Sequence, residues 1–245
     1  MAKGGALVAT MAANNETGII QPVADIALAC AAAAAALHVD AVQALGKTDG
    51  PILHPGVTSA SFSAHKIGGP KGIGALFVRS ESRIERVIHG GGQERGRRAG
   101  TENVAAIVGF GAAAAIVSAE KDARRARLRA LETHFLRALT SQGVAFSVHG
   151  DPAPEARLPG TLNVRFPGIS GEGMLFGLDL LGVSVSLGSA CSSGAAKPSH
   201  VLAAMGVSKQ ENLESVRFSM GPTLSEMDVE NAAGFAAKVL RRASG

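Results

Sequence analysis

Early in the chain, short apolar runs of strand length alternate with helical and turn-forming stretches, and this alternation limits the fold more than any other feature. Gly5–Ala13, Leu37–Val42, Ser59–Ser63 and Ile73–Val78 read as strands. Between the first two lies the alanine-rich stretch Ala24–Leu37, opened by Pro22 and Asp25, which reads as a helix. Strands that alternate with helices pair in parallel and have covered faces, so the pattern predicts an α/β fold with a mainly parallel sheet. Asn103–Ala119 and Glu120–Gln142 read as two long helices. Further on, Val144–His149, Thr161–Phe166, Val183–Leu187 and Ser215–Met220 are predicted strands. Gly171–Leu181, Pro198–Met205 and Ser225–Arg242 are predicted helices. A boundary near residue 119 divides the chain into residues 1–118 and a C-terminal α/β domain, 119–245.

With 245 residues, 46% of them apolar, the chain can bury a sizeable core. It has no Trp or Tyr, so Ala, Val, Leu and Ile must fill that core. The net charge is only +4, and its densest part, Arg124–Arg129, suits a solvated helix face. No aromatic residues interleave with basic ones, so the reading expects no nucleic acid. Ala24–Leu37 is too short to span a bilayer and contains Asp25, so no membrane is expected either. Cys30 and Cys191 are the only cysteines. They give neither a disulfide scaffold nor a zinc spacing, which predicts a reduced, cytoplasmic setting and no metal.

Several polar residues stand where apolar strands end. Lys66 follows Ser61–Phe62–Ser63–Ala64–His65 and precedes the glycine-rich Gly68–Gly72. A lysine desolvated among small residues there becomes an amine nucleophile for an aldehyde, and Ser63 and His65 are placed to bond a phosphate. Lys71, inside the turn, is the competing amine. Asp40 ends Leu37–Val42, and a carboxylate there needs a cation, such as a ring nitrogen. Ligands of open α/β sheets gather at the carboxyl ends of strands. His89–Asn103 is a polar, glycine-rich loop entering a helix, and its amides and Thr101 suit an anion. Its His-Gly-Gly-Gly start does not indicate an esterase, because the chain has no Gly-x-Ser-x-Gly elbow. Cys191 lies in Ser186–Gly194 among small residues on a flexible loop, as a reactive thiol would, whereas Cys30 sits among alanines as inert packing. Arg217 interrupts an apolar strand and can hold a carboxylate in bidentate fashion.

The strings ANNETGIIQPV, HVDAVQ, SFSAHKIGGPKGIGALFVR, GGGQERGRRAGTEN, LPGTLNVRF and LGSACSSG occur in this order. Together they resemble the cysteine desulfurases, specifically the NifS/IscS-like branch of the class V aminotransferases. The resemblance implies fold type I of the pyridoxal 5'-phosphate (PLP) enzymes, in which a large domain is followed by a small one. It implies a homodimer that converts L-cysteine to L-alanine and passes the sulfur to an acceptor, such as an iron–sulfur scaffold protein. By the same resemblance, Lys66 would hold PLP covalently, Asp40 would pair with its ring nitrogen, and Gln43 would contact its ring hydroxyl. Ser63 and His65 would bind the phosphate, and Thr101 would reach the phosphate in the neighbouring subunit. Asn15 and Arg217 would hold the substrate carboxylate, and Cys191 would take the sulfur as a persulfide. Family members also carry a long N-terminal stretch with a Gly/Thr phosphate turn and a ring-stacking histidine, and neither has a match here. The expectation is therefore a partial large domain, without the family's N-terminal part. Two alternatives remain: an inactive fragment that acts only in association, or a class V aminotransferase for another amino acid.

Overall fold

Strand β2 (Ala36–Asp40) is the centre of the first sheet in the computed structural model, which describes residues 5–48, 52–82, 84–150, 153–188 and 197–243. β2 pairs in parallel with β1 (Leu7–Met11) on one side and β3 (Ser59–Ser63) on the other. β4 (Gly74–Val78) joins β3 antiparallel, giving the order β1-β2-β3-β4. The pairing is therefore parallel only across the first three strands, because a short glycine-rich turn returns β4 beside β3 where a parallel strand would need a crossover.

The two faces of this sheet differ. Leu37, Val39 and Ala60 point to one face and are fully buried. Helix α1 (Val23–Ala32) packs on β2, and its buried residues Val23, Ala27 and Cys30 form one stripe at helical spacing. Burying a side chain such as Leu37 stabilises the fold by about 1.5–3 kcal/mol. The other face carries His38 and Asp40 of β2 in register with Ser59 and Ser61 of β3. It also carries the exposed Leu7 and Met11 of β1 and Leu76 of β4. Within this chain, the expectation of covered faces therefore holds for one face only.

The chain forms two compact units, Met1–Ala12 with Gln21–Lys121, and Ala13–Ile20 with Asp122–Gly245. The expected boundary near residue 119 left Ala13–Ile20 in the first unit, whereas the structure packs it in the second. The Gln21 amide donates to the Ala12 carbonyl at 2.9 Å, which closes the excursion at its base.

A single helix, α2 (Val104–Ser141), replaces the two helices expected. No Gly or Pro breaks the chain at Ala119–Glu120, and only the polarity changes there. Its first half meets Ile67 in the first unit through Ala113 and Val117, and its second half supplies Leu131, Phe135 and Leu139 to the second. By length and composition α2 is also apolar enough to cross a membrane, with most of its apolar window exposed.

The second unit has an antiparallel sheet in the order β5 (Ser147–Val148), β6 (Thr161–Arg165), β7 (Ser215–Ser219). Val183–Leu187 is not a strand, because only Ser186 pairs, through a single bridge to Arg217. Helices α3 (Gly171–Asp179) and α6 (Glu226–Ala243) cover the sheet with Met174, Leu178, Ala233 and Ala236. The short helices α4 (His200–Ala204) and α5 (Lys209–Leu213) complete the unit. The sequence reading missed α5, although Ser208 and Glu211 form a full capping box at its start. Arg165 of β6 binds Glu211 and Glu214 at 2.7 Å each, tying α5 to the sheet.

Phe135 is buried at the centre of this core, with its ring centroid 4.8 Å from that of Phe218. Phe135→Ala should destabilise the protein by about 3–5 kcal/mol in denaturant unfolding. A loss below about 1 kcal/mol would remove Phe135 from the core.

Candidate active site

Parallel pairing sets the ends of β2 and β3 side by side, with Asp40 opposite Ser61. Asp40 is exposed, and its Oδ1 accepts a hydrogen bond from the Val42 amide at 2.9 Å. That bond starts the turn in which Ala41 and Ala44 are buried and Gln43 is half-buried. At the end of β3, Ser63 Oγ lies 2.7 Å from His65 Nδ1. The chain then winds into a 3-10 turn, Ala64–Ile67. At three residues per turn, Ala64 and Ile67 fall on the same side and are buried, while His65 and Lys66 are exposed. Lys66 is therefore an accessible amine, not the desolvated one expected from its small neighbours. Lys71 is also exposed, in the turn between β3 and β4.

Gly68 ends the 3-10 turn in the left-handed conformation, at φ 86°. A Cβ there would meet nothing within 4 Å, so Gly68→Ala should cost only the backbone term, about 1–2 kcal/mol in unfolding. Gly92, also in open space, has no such φ, and Gly92→Ala should stay within about 0.5 kcal/mol. Equal effects at the two positions would contradict this account of the turn.

Thr101 is exposed in the loop before α2. It does not cap the helix, since Asn103 Oδ1 accepts from the Ala106 amide at 3.2 Å. Upstream, Glu94, Arg95 and Gly96 take φ of 50°, 56° and 76° in succession. Two of these are not glycine, an unusual concentration of left-handed backbone. The loop is braced by Gln93 Oε1, which accepts from the Gly100 amide at 3.2 Å, and by Glu102 Oε1, which accepts from the Glu94 amide at 3.4 Å. Beside it lies an open groove of ≈ 850 Å³, with Leu76, Ile88 and Ile107 in its wall and Arg95, Arg97 and Arg98 along it.

A second group of polar residues lies in the second unit. Asn14 is buried, and its Oδ1 accepts from the amides of Glu16 at 2.8 Å and Thr17 at 3.0 Å. This side-chain turn leaves Asn15 exposed at its tip. Arg217 Nη1 donates to the Asn15 carbonyl at 2.9 Å. Arg217 Nε is buried and has no hydrogen-bond partner among the described residues. A guanidinium with a free Nε donor suits a carboxylate ligand. Beside Arg217 in the register, Asn163 is buried with its Oδ1 unpartnered among the described residues. Cys191 lies outside the described residues. The sequence reading missed Asn14 and Asn163, and the one local signal was the Asn14–Gly18 spacing of a side-chain turn.

An exposed lysine, a carboxylate at the neighbouring strand end and a Ser–His pair form a donor set that matches PLP, which needs an amine, a partner for its ring nitrogen and groups for its phosphate. The α/β fold, with its mainly parallel sheet, is fold type I of the PLP-dependent enzymes. The solved structure of a NifS-like protein superimposes with a TM-score of 0.87 at 36% identity, covering 98% of this chain and 62% of that one. The model of the class V aminotransferase family matches residues 1–232, and the chain belongs to this family. It is similar to the cysteine desulfurase IscS of Anaeromyxobacter dehalogenans, with 43% identity over 92% of this chain and 55% of that protein. It is also similar to a putative cysteine desulfurase, IscS 1, of Bacillus subtilis, with 41% identity over 96% of this chain and 62% of that protein. The chain thus spans a little over half the length of these relatives.

Proposed function

We propose that this chain carries the lysine, the substrate-binding arginine and the acceptor thiol of a PLP-dependent cysteine desulfurase. The observation that carries the reading is the alignment of Asp40 and Lys66 at adjoining ends of parallel strands. The named relatives, at about the same identity along nearly all of this chain, support it. When bound, PLP withdraws electrons from the substrate Cα. Lys66 would hold the cofactor, Asp40 would accept a hydrogen bond from its protonated ring nitrogen, Gln43 would meet the ring hydroxyl, and Ser63 and His65 would bind the phosphate. Arg217, with Asn15, orients the substrate carboxylate. Cys191 supplies the thiolate, which forms an S–S bond as the substrate Cβ–S bond breaks. The sulfur is oxidised to a persulfide, the carbon is reduced, and a proton taken up at Cβ gives alanine. A transaminase acting on another amino acid has no use for that thiol.

Three finer readings belong to this proposal. The working unit is a homodimer, supported by the exposed Val87, Ile88, Val104 and Val108 around the loop that carries Thr101. The protein works in the cytoplasm, in keeping with Cys30, buried and without a disulfide among the described residues. The sulfur passes to an acceptor protein such as an iron–sulfur scaffold, for which the family resemblance is the support. A second reading, a partner-binding protein without activity, is favoured by the open sheet face around Leu7, Met11 and Leu76.

Borohydride trapping with PLP followed by peptide mapping separates these readings. The label should sit on Lys66, be lost in Lys66→Ala and survive in Lys71→Ala. A label on Lys71 would overturn the assignment, and no label at all would favour the partner-binding reading. Given cysteine, Cys191→Ser should lose persulfide and alanine formation but keep the label, while Cys30→Ser should keep both. An inactive Cys30→Ser variant would move the thiol assignment to Cys30.

A further inference from the structure

Asn163 of β6 and Arg217 of β7 face each other across the sheet of the second unit. Both backbone groups of Arg217 bond Ser186, at 2.7 and 3.1 Å, and the Asn163 carbonyl accepts from the His149 amide at 2.9 Å. The two are therefore a non-hydrogen-bonded pair, in which Cα atoms stand about 4.5 Å apart and side chains come closest. Their neighbours Leu162, Val164, Val216 and Phe218 point to the core on the other face. On the near face the two side chains take successive carbonyls of one turn. Arg217 Nη1 donates to Asn15 at 2.9 Å, and Asn163 Nδ2 donates to Glu16 at 3.4 Å. The turn is anchored, since the buried Glu16 accepts from the Ser199 hydroxyl at 2.5 Å. The Asn212 side chain in turn holds both backbone groups of Ser199 at 2.8 Å each. Arg217 Nε and Asn163 Oδ1 are left buried, each without a partner among the described residues. One is a donor and the other an acceptor, and a buried polar atom left unpaired is costly.

We propose that Arg217 is an arm with two positions and that Asn163 is the positioning residue for the second. In the first position Nη1 is engaged by the Asn15 carbonyl. In the second, Nη1 leaves that carbonyl, Nε donates to Asn163 Oδ1, and the released Nη1 turns to a carboxylate. One hydrogen bond replaces another, so the arm frees a charged donor for its ligand without a net loss of bonds. The anchored turn stays in place, and the movement belongs to the arginine. Only the identity of the carboxylate, as that of an amino acid, rests on the desulfurase reading.

The test follows the Nε–H proton of Arg217 by heteronuclear NMR on the full chain, with L-alanine as the probe and the signal identified by its absence from Arg217→Lys. Saturating L-alanine should move the signal downfield and slow its exchange with solvent about tenfold, the size of one added hydrogen bond from a charged group. A coupling across the new bond, from Arg217 Nε to the side-chain carbonyl carbon of Asn163, should appear with it and needs no variant. Asn163→Leu, similar in size but without the acceptor, should abolish the response and weaken L-alanine binding about tenfold. Asn163→Asp, which keeps the acceptor and adds a charge, should show the bonded signal before L-alanine is added. A merely structural Asn163 would leave the Arg217 signal unmoved in Asn163→Asp. If either variant fails to fold, the response and the coupling in the parent chain decide. No response to L-alanine in the parent, a bonded signal there without L-alanine, a response without the coupling, or one that survives in folded Asn163→Leu would each overturn the proposal. The response in a chain that forms no alanine from cysteine with PLP would refute the desulfurase reading and leave this inference standing. Alanine formation without the response would overturn this inference alone.

Discussion

The register of the three parallel strands is the constraint on which the candidate site depends. Asp40 faces away from the core only because Leu37 and Val39 face into it. The side-chain period of a strand is two, so a slip of one residue would send Asp40 inward and Val39 outward. Burial of those two apolar side chains therefore sets the side on which the carboxylate emerges. The same register brings Ser61, and with it the path to Ser63 and Lys66, alongside. The glycine-rich turn adds the second condition. By closing the 3-10 turn immediately after Ile67, Gly68 keeps His65 and Lys66 out of the core without extending the strand.

The first sheet was legible in the sequence because its strands are apolar runs separated by turn residues. Ser59–Ser63 lies where the sequence placed it, Leu7–Met11 and Gly74–Val78 fall within the runs that announced them, and Ala36–Asp40 starts and ends slightly ahead of the expected Leu37–Val42. The long helix was misread because its polarity changes at Ala119–Glu120, where the chain passes from one unit to the other while the backbone continues unbroken. Val183–Leu187 has the composition of a strand, yet only Ser186 finds a pairing partner, in Arg217. Strand composition records a tolerance for extended backbone, and tertiary context decides whether a ladder forms.

Site residues divide in the same way. Asp40, Lys66 and Arg217 are conspicuous in sequence because each is a charged residue beside or inside an apolar run. Glu16, Ser199 and Asn212 carry no such signal. Glu16 and Ser199 are partners 183 residues apart along the chain, and Ser199 and Asn212 are partners from two separate elements 13 residues apart. The expected desolvation of Lys66 failed for a related reason. Small neighbours in sequence say nothing about which side of a 3-10 turn a residue takes.

The excursion of Ala13–Ile20 bears on the order in which the protein can assemble. This segment is synthesised well before its hydrogen-bond partners Ala156, Leu158, Asn163, Ser199 and Arg217. The contact between Asn15 and Arg217 closes a loop of 202 residues. Contacts this distant are entropically expensive to nucleate and form late. The bond between Gln21 and Ala12, by contrast, spans nine residues and can form as soon as the first unit condenses. The first unit can thus be completed while the excursion is still a tethered loop, and the second unit captures it last. The turn that presents Asn15 is then set only after the strand carrying Arg217 has been synthesised, so these two groups meet for the first time at the final step of folding.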